Sequence, residues 1–374
     1  MTERVWAEIS LNALKANYHA IKALAAPSEL IPVVKSNAYG HGAVDVVLAL
    51  EQEGASRFAV ATPAEAMELR RAGAKSDILI LGYVSPNDAR EMLENNVTLT
   101  LLSAEHAAAL SAAVSGLGKR LKIHVAIDTG MSRLGFETEA PSFERSVAAI
   151  CALAERPELE TEGIFTHFAT SEVPGDPFAA EQQSRFNAML NALESHGLRF
   201  PIIHMSNSGA ILNIPGARYN AVRPGIILYG VYPDNGLEDR LPLQRVMSLR
   251  TILVQVHEFS DPITVSYGRH YRSDGPIRTG TVSIGYADGL HRALSGKIDM
   301  LIRGRRAPQI GNICMDMCMI DLSEIPEARP GDIVTVFGAD GEEHTGVEEL
   351  ADIAGTIPYE LTCALSRRVG HRTK

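Results

Sequence analysis

The chain has 374 residues, with 35 lysines and arginines against 45 aspartates and glutamates, for a formal net charge of -10. This length exceeds what one small core needs and predicts two domains, while the acidic balance excludes a nucleic-acid partner, which would require basic surface to neutralise phosphates. No run of 18 apolar residues occurs and the opening MTERVWAEISLNALK lacks a signal peptide's apolar stretch, so a cytoplasmic protein without a membrane span is expected.

The first ten residues, MTERVWAEIS, read as a strand ahead of a helix whose Leu14, Tyr18, Ile21 and Leu24 share one face. From residue 30 to 230 a strand-like run, a turn and a helical stretch recur. The strand candidates are 30–34, 57–61, 77–81, 97–102, 121–127, 162–166, 201–205 and 226–230. Between two of them, TPAEAMELRRAG offers Thr62 as N-cap, Pro63 at the first helical position, Glu65 to close a capping box and Gly73 as the stop. Eight alternating units predict an α/β fold, a parallel sheet closed as an N-terminal (β/α)8 barrel. The rival, an open doubly wound sheet, lacks its G-x-G-x-x-G turn. Near residue 232 the texture changes: YPDNGLEDRLPLQ reads as a linker, and beyond it MSLRTILVQVHEF, TGTVSIGYADG, IDMLIRG, MCMIDLS and DIVTVFG are short runs between turn residues. The expected division is a barrel over 1–232 and a mainly β domain, a small barrel or sandwich, over 233–374. The pattern does not assign strand 1–10 to either domain. Cys151, Cys314, Cys318 and Cys363 form no disulfide framework, and Cys314 with Cys318 lacks a second pair for zinc, so reduced thiols and no metal are expected.

Barrels of this kind build their sites at the C-terminal strand ends. Collecting polar residues there gives Lys35 and Tyr39, then Arg133, His167, Asn207 with Ser208, and Arg223 with Gly225. Each has an ordinary structural explanation. Lys35 can cover a strand end while its head reaches water; Arg133 can be a loop guanidinium; His167 can be a satisfied core histidine; Asn207 and Ser208 can cap a helix. Each also has a chemical one. A desolvated lysine forms Schiff bases with aldehydes, a planar guanidinium clamps carboxylates or phenolates, and capping hydroxyls with backbone N–H groups, completed by RPGI, bind phosphate. Their clustering at strand ends favours a site. Nucleotide-binding, serine-hydrolase and zinc-protease motifs are absent.

VVKSNAYGHG, DTGMSRLGF, THFATSE, HMSNSGA, RPGIILYG, VSYG, IGYADG, CMDMCMIDL and IPYEL, in this order and across almost the whole chain, resemble the alanine racemases, enzymes built on pyridoxal 5'-phosphate (PLP). The resemblance implies a homodimer with sites shared between subunits, interconverting L- and D-alanine and supplying D-alanine for peptidoglycan. It implies Lys35 as the PLP attachment, and Tyr39, Ser208, Gly225, Ile226 and Tyr359 around the phosphate, beside Asn207. Arg223 would face the pyridine nitrogen, and Arg133 the phenolic oxygen and the substrate carboxylate, to which the backbone of Met315 from the second subunit also donates. Tyr267 from that subunit would be the second base, with His167, bonded to Arg223, supporting it; Tyr286 would narrow the entrance. A guanidinium can only donate, so Arg223 would leave the ring nitrogen unprotonated and disfavour transamination. Two positions depart from the family pattern. Ala126 stands where many members carry a modified lysine that supports the active-site arginine, and Asn312 where many carry arginine near the entrance. A broader-specificity racemase, or a barrel that binds PLP or an amino acid without turnover, are the alternative readings.

Overall fold

The computed structural model describes residues 4–234 and 236–374; residues 1–3 of the predicted N-terminal strand lie outside them. The chain divides into two compact units, one of Lys15–Ala38 with Ala43–Gln244, the other of the first 14 residues, Tyr39–Gly42 and Arg245–Lys374.

The first unit is the barrel. Its parallel strands run, in sheet order, Glu29–Leu30, Ala221–Val222, Ile202–His204, Leu159–Phe165, Leu121–Asp128, Val97–Leu101, Asp77–Ile80 and Arg57–Val60. A parallel bridge between Val33 and Ala59 joins the last strand to the first and closes the ring. Strands Arg57–Val60 and Val97–Leu101 are buried throughout, as expected where helices cover a parallel sheet. The predicted capping box forms as read: Glu65 N–H donates to Thr62 Oγ1 at 3.3 Å, and Thr62 N–H to Glu65 Oε2 at 3.2 Å.

The ends of the barrel sequence differ from expectation. The predicted first strand is interrupted at Pro32, which has no N–H to give, so pairing passes from Ile31 N–H on Val222 O to Val34 N–H on Ala59 O. The predicted eighth strand, 226–230, is instead a buried 3-10 turn, Ile226–Tyr229, and the closing strand lies before it at Ala221–Val222. Pro224 again breaks the ladder, and the apolar run after it fills the core by burial alone. Such a run does not distinguish strand from helical turn by pattern.

The second unit is antiparallel. Strands Met247–Phe259, Ile277–Val282, Cys318–Asp321, Arg305–Ile310, Asp299–Ile302 and Ile333–Asp340 pair successively, and the last pairs back onto Met247–Phe259, making a small closed barrel. Strand Val5–Ile9 pairs with Met247–Thr251 in this unit. The four cysteines are free thiols. Among the described residues no helix is long and apolar enough to cross a membrane.

Candidate active site

Lys35 leaves the first strand into a turn of unusual hand. Ser36, Asn37 and Ala38 have φ of 51°, 53° and 54° with ψ of 50°, 47° and 49°, and Tyr39 follows at φ 53°. A left-handed helical conformation costs L-residues roughly 1–2 kcal/mol each, so neighbouring groups must hold it. Glu65 Oε1 accepts from Ser36 N–H at 2.7 Å, Asn37 Oδ1 accepts from Ala43 N–H at 2.8 Å, and Ala38 N–H donates to Val34 O at 2.8 Å. The helix cap recognised in the sequence therefore has a second task, fixing the turn that aims Lys35.

Lys35, Arg133, His167 and Arg223 line one cavity of about 220 Å³ at the C-terminal strand ends, with Ala126, Phe165 and Thr166. The loop that carries Arg133 is tied by Asp128, which accepts from Gly130 N–H at 2.9 Å and Ser132 N–H at 3.0 Å. At Gly135, φ +114°, a Cβ would come within 2.7 Å of Ala126 O, so the loop closes against the backbone of the strand that carries Ala126. Arg133 itself is exposed.

Arg223 is 2% exposed, yet among the described residues no carboxylate is bonded to it. It donates to His204 Nδ1 at 2.6 Å, His167 Nδ1 at 3.0 Å, Thr166 O at 2.8 Å and Met205 O at 3.1 Å. Burial, then the charge of Arg133, brings its pKa down to about 9, which still leaves it cationic at neutral pH. Burial, and then Arg223, holds both His167 and His204 well below the ordinary histidine value. His167 is therefore a neutral hydrogen-bonding group and supplies no charge.

The residues expected around a phosphate are placed as follows. Asn207 caps helix Ser208–Asn213, its Oδ1 accepting from Ala210 N–H at 3.0 Å and from Ser171 Oγ at 2.7 Å. Gly225 N–H donates to Ser208 Oγ at 2.9 Å, and Ile226 opens the 3-10 turn. Tyr39 and Tyr359 belong to the second unit, buried and half-buried, with ring centroids 5.8 Å apart. Burial, then Tyr359, pushes the Tyr39 phenol up, so it stays protonated. The segment is seated tightly: a Cβ on Gly40, φ +82°, would strike Thr362 O.

Tyr267, Tyr286 and Met315 also belong to the second unit, where they are 73%, 43% and 53% exposed. Tyr286 N–H donates to Cys314 O and Ala287 N–H to Met315 O, both at 3.0 Å, so these two loops are stitched together. Asn312 Nδ2 donates to Tyr267 O at 2.6 Å. The sequence pointed to Glu65 only as a helix cap and not as a partner of the Lys35 turn, and it did not single out His124, His204 or Glu162, which lie within strands and not beyond their ends. The available signal was alternation along 121–128, which puts His124 on the same face as Ala126 and Asp128.

Family models for the alanine racemase N-terminal and C-terminal domains match residues 9–233 and 246–373. The chain belongs to the alanine racemase family. It is 44% identical to an alanine racemase of Methanococcus maripaludis over 98% of this chain and 97% of that protein. The solved alanine racemase of Clostridium difficile 630 superposes with a TM-score of 0.95 at 37% identity, covering 100% of this chain and 96% of that one. The Bacillus anthracis alanine racemase with bound L-Ala-P gives a TM-score of 0.91 at 35% identity over 100% and 96%. The family is enzymatic, and the match runs through both units.

Proposed function

We propose that this chain interconverts L- and D-alanine with PLP held on Lys35, as a homodimer whose sites draw Tyr267 and Met315 from the second copy. The observation that carries the reading is the convergence of the Lys35 amine and the carboxylate-free Arg223 guanidinium on one cavity. The cavity's donors fit PLP, with an amine for its aldehyde and a pure donor for its ring nitrogen, and Tyr39, Asn207, Ser208, Gly225, Ile226 and Tyr359 are the residues proposed to bind its phosphate.

When bound, PLP withdraws electrons from the substrate and so acidifies the proton on Cα. The rest is done by the chain. Arg133 orients the substrate carboxylate, helped by the Met315 backbone. Lys35 Nζ takes or returns a proton on one face of Cα and Tyr267 Oη on the other, which inverts the centre without moving the substrate. His167, a neutral donor fixed by Arg223, supports the phenol. Arg223 withholds a proton from the ring nitrogen, which limits electron withdrawal and favours quick return of the proton over transamination. Tyr286 narrows the entrance and restricts the side chain. The product, D-alanine, serves peptidoglycan synthesis, which places the activity in the cytoplasm.

The test is borohydride reduction of the yellow protein with peptide mapping, alongside loss of optical rotation from L-alanine. A label on Lys35 and racemisation are expected. A label elsewhere, or colour without turnover, overturns the proposal.

A further inference from the structure

Behind Arg223 a polar column runs through the barrel interior, and its other members have no part assigned so far in the reaction. Arg223 Nη1 lies 2.6 Å from His204 Nδ1, His204 Nε2 lies 2.8 Å from His124 Nδ1, and His124 Nε2 lies 3.1 Å from Glu162 Oε2. Glu162 is held in turn by Arg57 at 2.8 Å, Lys122 at 3.3 Å and the Thr98 hydroxyl at 3.3 Å. The column starts at the cavity and ends where Arg57 opens strand Arg57–Val60, at the opposite end of the barrel.

Chemistry dictates its polarity. A guanidinium can only donate and a carboxylate can only accept. His204 Nδ1 therefore accepts and its proton sits on Nε2; His124 Nδ1 accepts that proton's bond, and its own proton on Nε2 goes to Glu162. The interior of such a barrel is ordinarily filled by branched apolar side chains, and polar groups there are costly unless fully paired. Here the backbone makes room for the column. The pairing register between strands Leu121–Asp128 and Leu159–Phe165 shifts at Ile123/His124, and a Cβ on Gly163 would lie 2.6 Å from the His124 ring.

We propose that Glu162, His124 and His204 are positioning residues for the reaction, holding Arg223 as a donor in one orientation through two imidazole rings, while the carboxylate that anchors them is paired with Arg57 and Lys122 at the far end of the column. A carboxylate bonded directly to Arg223 would form a bidentate pair and cancel its charge toward the cavity. The two rings, with centroids 5.0 Å apart, satisfy the buried cation and leave that charge directed at the ligand. The inference rests on Arg223 facing the PLP ring nitrogen, as proposed above.

The test combines long-range proton–nitrogen NMR on histidine-labelled holoenzyme with kinetics of Glu162→Gln and Glu162→Asp. The expected result is neutral His124, His167 and His204, each protonated on Nε2. Glu162→Gln should lower kcat about tenfold, the order seen when groups that orient active-site ligands are removed, with KM little changed and more cofactor lost to transamination. Glu162→Asp should restore much of kcat. A proton on Nδ1 of His124 or His204 overturns the proposal, as does Glu162→Gln with wild-type kcat and transamination. If Glu162→Gln does not fold, the wild-type tautomers and the Glu162→Asp kinetics decide. The tautomers are read without turnover, so their failure is distinct from failure of the racemase reading, which an inactive wild-type protein would mark.

Discussion

The Asn312 amide holds the carbonyl of Tyr267, a residue whose side chain is largely exposed. The backbone around Tyr267 is otherwise strained: Ser266 has φ +66° and Arg269 φ +52°. One hydrogen bond contributes about 1 kcal/mol net, and Tyr267, in its proposed role as a base, must be placed within about half an ångström to work well. Asn312→Ala is therefore expected to lower kcat roughly fivefold with little change in KM. Steady-state racemisation in both directions measures this, and unchanged kcat would show that Tyr267 is placed by other contacts. The sequence marked Asn312 as a departure from the family pattern. It did not reveal the contact, because residues 45 positions apart meet only after folding.

At the scale of elements, Glu65 ties two features together. Its carboxylate accepts from Ala61, Thr62 and Ser36 N–H groups, so one side chain closes a helix cap and holds the left-handed turn after Lys35. Loss of a cap alone costs about 1 kcal/mol. Glu65→Ala is expected to lower stability by about 1–2 kcal/mol and to weaken PLP retention, because Ser36 loses its acceptor and the turn can relax. Urea unfolding and dialysis against free amine measure the two effects; full retention of PLP would mean that the turn needs no help from this helix. The capping box was legible from four residues of sequence because it is local. The left-handed turn was not, since Ser, Asn, Ala and Tyr carry no strong signal for positive φ as a run. It exists because distant groups over-determine it.

At the scale of the molecule, three histidines are held neutral within one barrel. His124, His167 and His204 all have pKa values lowered by burial, against an ordinary 6.5. The unfolded chain binds protons at these positions that the folded chain refuses, so stability is fully present above about pH 6.5 and falls as pH drops below it. The loss grows as pH falls further, for as long as the folded histidines stay unprotonated. Glu162 adds a second loss below its ordinary 4.5: burial alone would raise its pKa, but the hydrogen bond from His124 and the charge of Arg57 hold it well below. Urea midpoints between pH 7.5 and 5 should fall steeply, because each proton taken up only by the unfolded chain pulls the equilibrium toward it; a flat profile would mean that the histidines protonate in place. The dimer reading makes a separate prediction. Lys35→Ala and Tyr267→Ala are each expected to be inactive, and a refolded equimolar mixture should regain roughly a quarter of the wild-type activity, because half the dimers carry one intact site. No recovery would place Tyr267 and Lys35 in the same subunit's site.

The sequence by itself determined the alternation of strands and helices, the change of texture near residue 232, and the set of polar residues at strand ends, since each is written in local spacing and turn chemistry. It misplaced the eighth strand because the apolar run at 226–229 reports burial and not conformation. Tertiary structure alone decided that Arg223 is also bonded to His204, that Gly163 leaves space for His124, and that Glu162 joins His124 to Arg57. Those outcomes depend on which side chains face each other across a closed barrel. That is set by strand register and shear, which single-chain periodicity does not encode.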